Sequence, residues 1–277
     1  MELILERAGA RHPAARAASA PALGALSLHV RSGEQLAVIG PSGAGKTTLL
    51  QLIAAALPPT EGRVLLDGQD PWRLPRRALQ RLRGQLLLAP QTPPLPPRQR
   101  VVTAVLAGRL PAQSLWASLR SLVYPDDIPA AFEALERFDL GDKLFERVDR
   151  LAGGERQRVG LARAFVAPAR LWLIDEPLAS LDPTRAAQAM AALTAGARER
   201  GATLVTTLHQ VDAALANFPR IVGLRDGALA FDLATAQVTP ERLARLYAQR
   251  DDAPVADDPG LDPEPRDRPA PVAVNCR

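Results

Sequence analysis

Residues 40–47 read Gly-Pro-Ser-Gly-Ala-Gly-Lys-Thr, a complete G-x-x-x-x-G-K-[ST] phosphate loop. Gly40, Gly43 and Gly45 let the backbone curl so that successive N–H groups point inward at phosphate oxygens. The start of the following helix adds its partial positive charge. Lys46 has the reach to meet β- and γ-phosphates, and Thr47 offers a hydroxyl to Mg²⁺. A second glycine pair, Gly153-Gly154, sits in Leu-Ala-Gly-Gly-Glu at the start of another helix and offers a second anion site. One phosphate loop needs only one such site, so the surplus suggests two copies meeting around shared nucleotide. Asp175 and Glu176 end the apolar run Arg-Leu-Trp-Leu-Ile of residues 170–174. Ligands of open α/β sheets sit at that end of a strand. Asp175 suits an outer partner of the metal, and Glu176 is the candidate to orient or deprotonate an attacking water. Adjacent carboxylates are commonly solvated surface, but an apolar strand running into a proline turn does not fit that.

The elements that must hold these groups are readable. Gln35–Ile39 is a short apolar run of buried parallel-strand type after the turn signal Ser32-Gly33. Leu49, Leu50, Leu52 and Ile53 then recur at helical spacing, ending near Ala56 before Pro58-Pro59. Further strands are expected at Leu26–Val30, Arg63–Asp67, Ala202–Leu208 and Ala228–Asp232. Helices are expected at Ser114–Leu122, Pro129–Phe138 and Glu155 to about Val166.

These residues resemble the ATP-binding subunits of ABC transporters, over residues 1 to about 248. Gly40–Thr47 matches the Walker A loop, Gln91 the Q-loop glutamine and Leu151–Glu155 the signature. Leu171–Glu176 matches the Walker B strand, Ser180-Leu181-Asp182-Pro183 the D-loop and His209 the switch histidine. The resemblance implies an α/β P-loop NTPase core with an antiparallel β subdomain and an inserted helical arm at about 92–152, with ATP and Mg²⁺ as ligands. It implies nucleotide contacts from Pro41, Ser42, Ala44 and Thr48 as well as the glycines and Lys46, and from Ala152, Gly153, Gly154 and Asp182 across a homodimer. Glu176, His209 and Gln91 would be catalytic, and Thr47, Gln91 and Asp175 would face the metal. Partners would be integral permease subunits, with a helix of theirs received between arm and core, and indirectly a solute-binding protein. The chain would then sit peripherally on the cytoplasmic face of the membrane. A histidine after a strand is commonly structural, but His209 falls where the family's γ-phosphate contact lies.

Subtler text is similar to phosphonate importer ATPases: Leu106-Ala107-Gly108-Arg109-Leu110, Trp116, Ser118-Leu119, Ala134-Leu135-Glu136-Arg137, Leu208–Asp212 and Gly223–Gly227. Three departures stand out. Ala152 replaces the signature serine, removing a hydroxyl whose bond to a charged group is worth roughly 1.5–3 kcal/mol, so closure should be impaired but not abolished. No Phe, Tyr or Trp lies between Arg7 and Gly33 to stack on adenine; His12 is the only ring there, either that stack or an ordinary loop histidine. Pro90, Pro93, Pro94, Pro96 and Pro97 crowd Gln91, which either stiffens this loop or is neutral drift.

Apolar residues make up 47% of the 277 and aromatic ones only 4%, which indicates a core of Leu, Val and Ala. No apolar run approaches the 18 or so residues of a membrane span, and no secretory pattern opens the chain; a soluble protein is expected. A single cysteine, Cys276, excludes an internal disulfide or cysteine–zinc cluster and fits a reducing compartment. The basic set is almost wholly Arg, with Lys only at 46 and 143, which fits coding bias better than nucleic-acid binding. The arginines of Arg73–Arg83 lack interleaved aromatics and read as a solvated face. Residues 249–277 are rich in Pro and Asp, cannot bury a core and read as a disordered tail.

The leading expectation is an importer subunit in which MgATP closes a homodimer and drives uptake of phosphonate or a related phosphorus oxyanion. The alternative is a soluble ABC-type ATPase of a phosphonate-degrading enzyme complex. A DNA-repair or translation ATPase ranks third, because neither a second cassette nor a long coiled-coil insertion is present.

Overall fold

A computed structural model describes residues 1–11, 21–114, 116, 118–120 and 126–248. The compact unit spans Met1–Tyr247. In chain order its strands and helices are β1 (Leu3–Ala10), β2 (Leu23–Val30), β3 (Gln35–Ile39), α1 (Lys46–Ile53), β4 (Glu61–Leu66), α2 (Arg76–Arg83), β5 (Leu86–Ala89) and α3 (Val101–Leu106). Then follow α4 (Ile128–Glu136), α5 (Gly153–Val166), β6 (Leu171–Asp175), α6 (Pro183–Glu199), β7 (Thr203–Leu208), α7 (Val211–Asn217), β8 (Arg220–Arg225), β9 (Ala228–Ala234) and α8 (Pro240–Tyr247).

Two sheets result. One is three-stranded and antiparallel, in the order β2-β1-β4; the other is six-stranded, in the order β5-β6-β7-β3-β8-β9. Strands β5, β6, β7, β3 and β8 are parallel, and β9 closes the edge antiparallel. The central strands are buried on both faces, and their alternation sorts the core in two. Leu36 and Val38, Leu171 and Leu173, and Val205 face α1 and the small sheet. Ala37 and Ile39, Trp172 and Ile174, and Leu204 face the layer of α3 to α8. Edge-on ring contacts, Phe138–Phe165 at 5.6 Å and Phe165–Trp172 at 5.4 Å, carry that layer's packing from the end of α4 through α5 to β6.

Boundaries depart from the sequence reading where capping decides them. Helix α1 stops at Ile53 and not near Ala56, because Ala55 takes a φ of 51° and the Ala56 N–H reaches back to the Gln51 carbonyl at 3.0 Å. Helix α4 starts at Ile128, since Asp127 accepts the Ala130 N–H at 3.1 Å. The expected Ser114–Leu122 helix lies partly outside the described residues. The α2 arginines are not all a solvated face: Arg83 donates to the Ala55 carbonyl at 2.6 Å and lies 5.9 Å from the Trp72 ring. Among the described residues no helix is long and apolar enough to cross a membrane.

Candidate functional site

Parallel pairing fixes which groups meet. Strands β5, β6, β7 and β3 lie side by side in one direction, so their C-terminal ends share one edge of the sheet. Past those ends come Gln91 after β5, Asp175 and Glu176 at β6, His209 after β7 and residues 40–47 after β3. Four stretches far apart in sequence are thereby delivered to one crevice, the usual ligand position of such sheets.

Distances bear this out. Thr47 Oγ1 donates to Asp175 Oδ2 at 2.8 Å. Glu176 is held from two sides: Gln91 Nε2 donates to Oε2 at 2.7 Å, and His209 Nε2 lies 2.5 Å from Oε1. Glu176 is the more enclosed partner of the latter pair, its side chain 15% exposed against 48% for His209. It also takes a φ of 48°, costly for a residue with a Cβ and typical of strained positions at functional sites. Lys46 is buried, and Nζ donates to the carbonyls of Gly40 (2.8 Å) and Pro41 (3.0 Å). Burial lowers its pKa, against the pull of Glu176 and then Asp175, which raise it. The Ala44 carbonyl accepts the Gly227 N–H at 3.1 Å, which ties the loop to the β8–β9 turn.

Sequence reading missed Thr207. Its hydroxyl donates to Asp175 Oδ1 at 2.5 Å, and its Oγ1 accepts the Glu176 N–H at 3.0 Å. It therefore sets both carboxylates. The available signal was three threonines, Thr203, Thr206 and Thr207, in a strand otherwise apolar and wholly buried.

The glycines of the second expected anion site open a helix, as their sequence suggests. Ala152 is the N-cap of α5, and Gly153 and Gly154 supply first-turn N–H groups that have no carbonyl within the helix. The Glu155 carboxylate accepts the Ala152 N–H at 2.8 Å, but Ala152 has no side-chain oxygen to return the bond. Asp182 is occupied locally, accepting the Arg185 N–H at 3.0 Å as the N-cap of α6. His12 lies outside the described residues.

Thr47 and Asp175 present oxygen atoms only, the donor chemistry that Mg²⁺ selects. No group of three or more His, Cys, Asp or Glu among the described residues could hold a metal alone, and Mg²⁺ characteristically takes one or two protein oxygens and fills its shell with phosphate and water.

The family model described as ABC transporter matches residues 23–179. The chain is 68% identical over 249 residues to the phosphonates import ATP-binding protein PhnC of Polaromonas sp. (strain JS666 / ATCC BAA-500), covering 90% of each chain. It is 63% identical over 282 residues to the phosphonates import ATP-binding protein PhnC 2 of Albidiferax ferrireducens, covering 100% of each. Among solved structures, the dimeric post-hydrolysis state of the ATP-binding cassette MJ0796 bound to ADP and Pi aligns with a TM-score of 0.71. That match is 26% identical and covers 84% of this chain and 98% of that one.

Proposed function

The chain belongs to the ABC transporter family, and we propose that it is the ATP-hydrolysing subunit of an importer for phosphonate or a related phosphorus oxyanion. Its ATPase chemistry follows from family membership; the cargo rests on the two relatives, whose names state phosphonate import. One observation carries the catalytic reading: a single carboxylate, Glu176, is gripped on both oxygens by Gln91 and His209 at the strand edge that also bears the phosphate loop.

The residues divide the work as follows. Lys46 exchanges the Gly40 and Pro41 carbonyls for phosphate oxygens, and charge on phosphate offsets the burial that disfavours the ammonium. Thr47 and Asp175 would hold Mg²⁺, which when bound would supply charge to neutralise that building on the transferring phosphoryl group. Glu176 orients and deprotonates water, while His209 and Gln91 keep its carboxylate from rotating. The N–H groups of Gly153 and Gly154 on a second copy complete the phosphate's surroundings, so that turnover requires a dimer. The groove between β5 and α5, lined by Leu86, Leu88, Pro94, Pro111, Gly160 and Leu161, receives a helix of the permease. In that arrangement the protein sits peripherally at the cytoplasmic face of the membrane.

The test uses Glu176→Gln, which keeps the hydrogen-bonding shape and removes the base. It should bind ATP, lose turnover and accumulate as a dimer. Expressed at native level in its own cells, crosslinked and extracted in mild detergent, it should bring down a polytopic membrane protein. Recovery of soluble enzymes alone would move the function to a phosphonate-degrading complex, and normal turnover would remove Glu176 from the catalytic role.

A further inference from the structure

Helix α2 reads Arg-Arg-Ala-Leu-Gln-Arg-Leu-Arg and carries no acidic residue. Like charges at i and i+4, as in Arg77 and Arg81, disfavour a helix when nothing compensates them. Arg83 is engaged by the Ala55 carbonyl, whereas Arg77 and Arg81 are exposed. Together with Gln80 these two form one wall of an open cleft of about 500 Å³, and Pro111, Ala112 and Gln113 form the other. Among the described residues that line it, none is acidic. The walls are in close contact: a Cβ on Gly84, just after α2, would stand 3.1 Å from the Pro111 carbonyl. Acidic residues further along do not offset the arginines, because Asp126 pairs with Arg120 at 2.9 Å and Asp127 with Arg109 at 2.7 Å.

Beyond Gln113 the chain turns helical, and the Ser118 N–H reaches the Ser114 carbonyl at 2.8 Å. Trp116 and Leu119 stand at i and i+3 on this turn, so they share one side of it. They are 83% and 52% exposed. An indole combines a large apolar ring with one polar N–H, which suits it to the boundary between water and hydrocarbon. A cationic cleft beside an exposed Trp–Leu pair has the composition of a surface that lies on anionic lipid. Guanidinium groups meet phosphate, and the ring enters the acyl boundary. The cleft is open and the two apolar side chains project, which suits a fluid surface better than a shaped protein partner.

We propose that the Arg77–Arg81 cleft and the Trp116–Leu119 turn form a docking surface for a bilayer carrying anionic phosphodiester headgroups. The groove assigned above to the permease meets this cleft at Pro111, which lines both. The chain thus holds the membrane through lipid as well as through protein. That this face looks toward the membrane rests on the permease reading; the lipid binding itself does not.

The experiment sediments the full chain with vesicles of phosphatidylcholine alone and with vesicles that also contain phosphatidylglycerol. The chain should bind the anionic vesicles, and more weakly as salt rises. Arg77→Gln combined with Arg81→Gln should weaken that binding about tenfold or more and remove most of its salt dependence. Trp116→Ala should instead remove the part of the binding that survives high salt. Both variants should keep ATP turnover, and the arginine variant should melt at the same temperature or higher because like-charge repulsion is relieved. No binding to anionic vesicles, or binding undiminished in either variant, would overturn the proposal. So would a response to inorganic phosphate without vesicle binding, which would make the cleft a site for a free anion. An arginine variant that binds vesicles normally but no longer captures a membrane protein from cells would give the surface to that protein. If the unaltered chain bound vesicles as expected but captured no membrane protein, the permease reading would fail and this one would stand.

Discussion

Pro93 sits in a notch of α5 that only glycine leaves open: a Cβ on Gly160 would lie 2.5 Å from the Pro93 Cγ and 2.6 Å from its Cβ. The loop that carries Gln91 to Glu176 is therefore seated directly on the helix whose first turn carries Gly153 and Gly154. The prolines around Gln91 acquire a structural reason, since a fixed φ keeps Pro93 aimed at that notch.

Gly160→Ala should test this seat. In an open helix interior the change would favour the fold by about 1 kcal/mol. Here it overpacks the Pro93 contact, and overpacking costs typically 1–3 kcal/mol. We expect a lower Tm and reduced turnover, because displacing Pro93 pulls Gln91 from Glu176. Pro93→Ala in the same chain should recover part of both. A Tm at or above that of the unaltered chain, with full turnover, would refute the seat.

Thr207→Val keeps shape and burial and removes the hydroxyl. Asp175 then loses its 2.5 Å bond, and the Glu176 N–H keeps only its 3.2 Å bond to the Thr207 carbonyl. The expected result is turnover lower by tenfold or more, with Mg²⁺-free ATP binding nearly unchanged and Thr207→Ser close to full activity. Equal activity in the valine variant would mean that Thr207 only fills space.

Most of the site is legible in the sequence because its chemistry is local. Residues 40–47 carry their function in consecutive backbone, and the β6 run ends in its own carboxylates. Thr207 is not legible, because its role exists only through the β6–β7 register that sets Asp175 opposite it. The seat of Pro93 is hidden for the same reason: it joins segments whose adjacency is decided by tertiary packing. Short-range ends were also misread wherever one cap outweighed periodicity, as with Ala55 after α1.

Asp67 gives a pH dependence. It accepts the Glu2 N–H at 2.7 Å and pairs with Arg170 at 2.6 Å. Burial works to raise its pKa, but the Glu2 N–H and Arg170 outweigh it and hold the carboxyl below its ordinary value of 3.8. A depressed folded-state pKa adds stability that is fully present above the unfolded value and is lost as pH falls through the folded one. Asp67→Asn should therefore melt below the unaltered chain at pH 7, and the gap should narrow as pH drops below 4. A gap that stays constant with pH would assign the loss to packing.

Ala152→Ser asks whether the departure in the signature is a real handicap. Serine is a favoured N-cap, and replacing alanine there is worth about 1 kcal/mol. The Glu155 half of a capping box is already in place, its carboxylate 2.8 Å from the residue 152 N–H, so the new hydroxyl needs only to accept the Glu155 N–H. A hydroxyl accepts and donates at once, so capping leaves its proton free for a phosphate on a second copy. The two effects separate in one pair of measurements. Capping should raise the Tm by about 2–4 °C in a domain of this size. In a Glu176→Gln background, donation to phosphate should lower the ATP concentration that half-dimerises the chain by roughly tenfold or more, the value of a hydrogen bond to a charged group. A higher Tm with unchanged dimerisation would show that the hydroxyl caps α5 and nothing else, and that Gly153 and Gly154 already complete the second anion site without it.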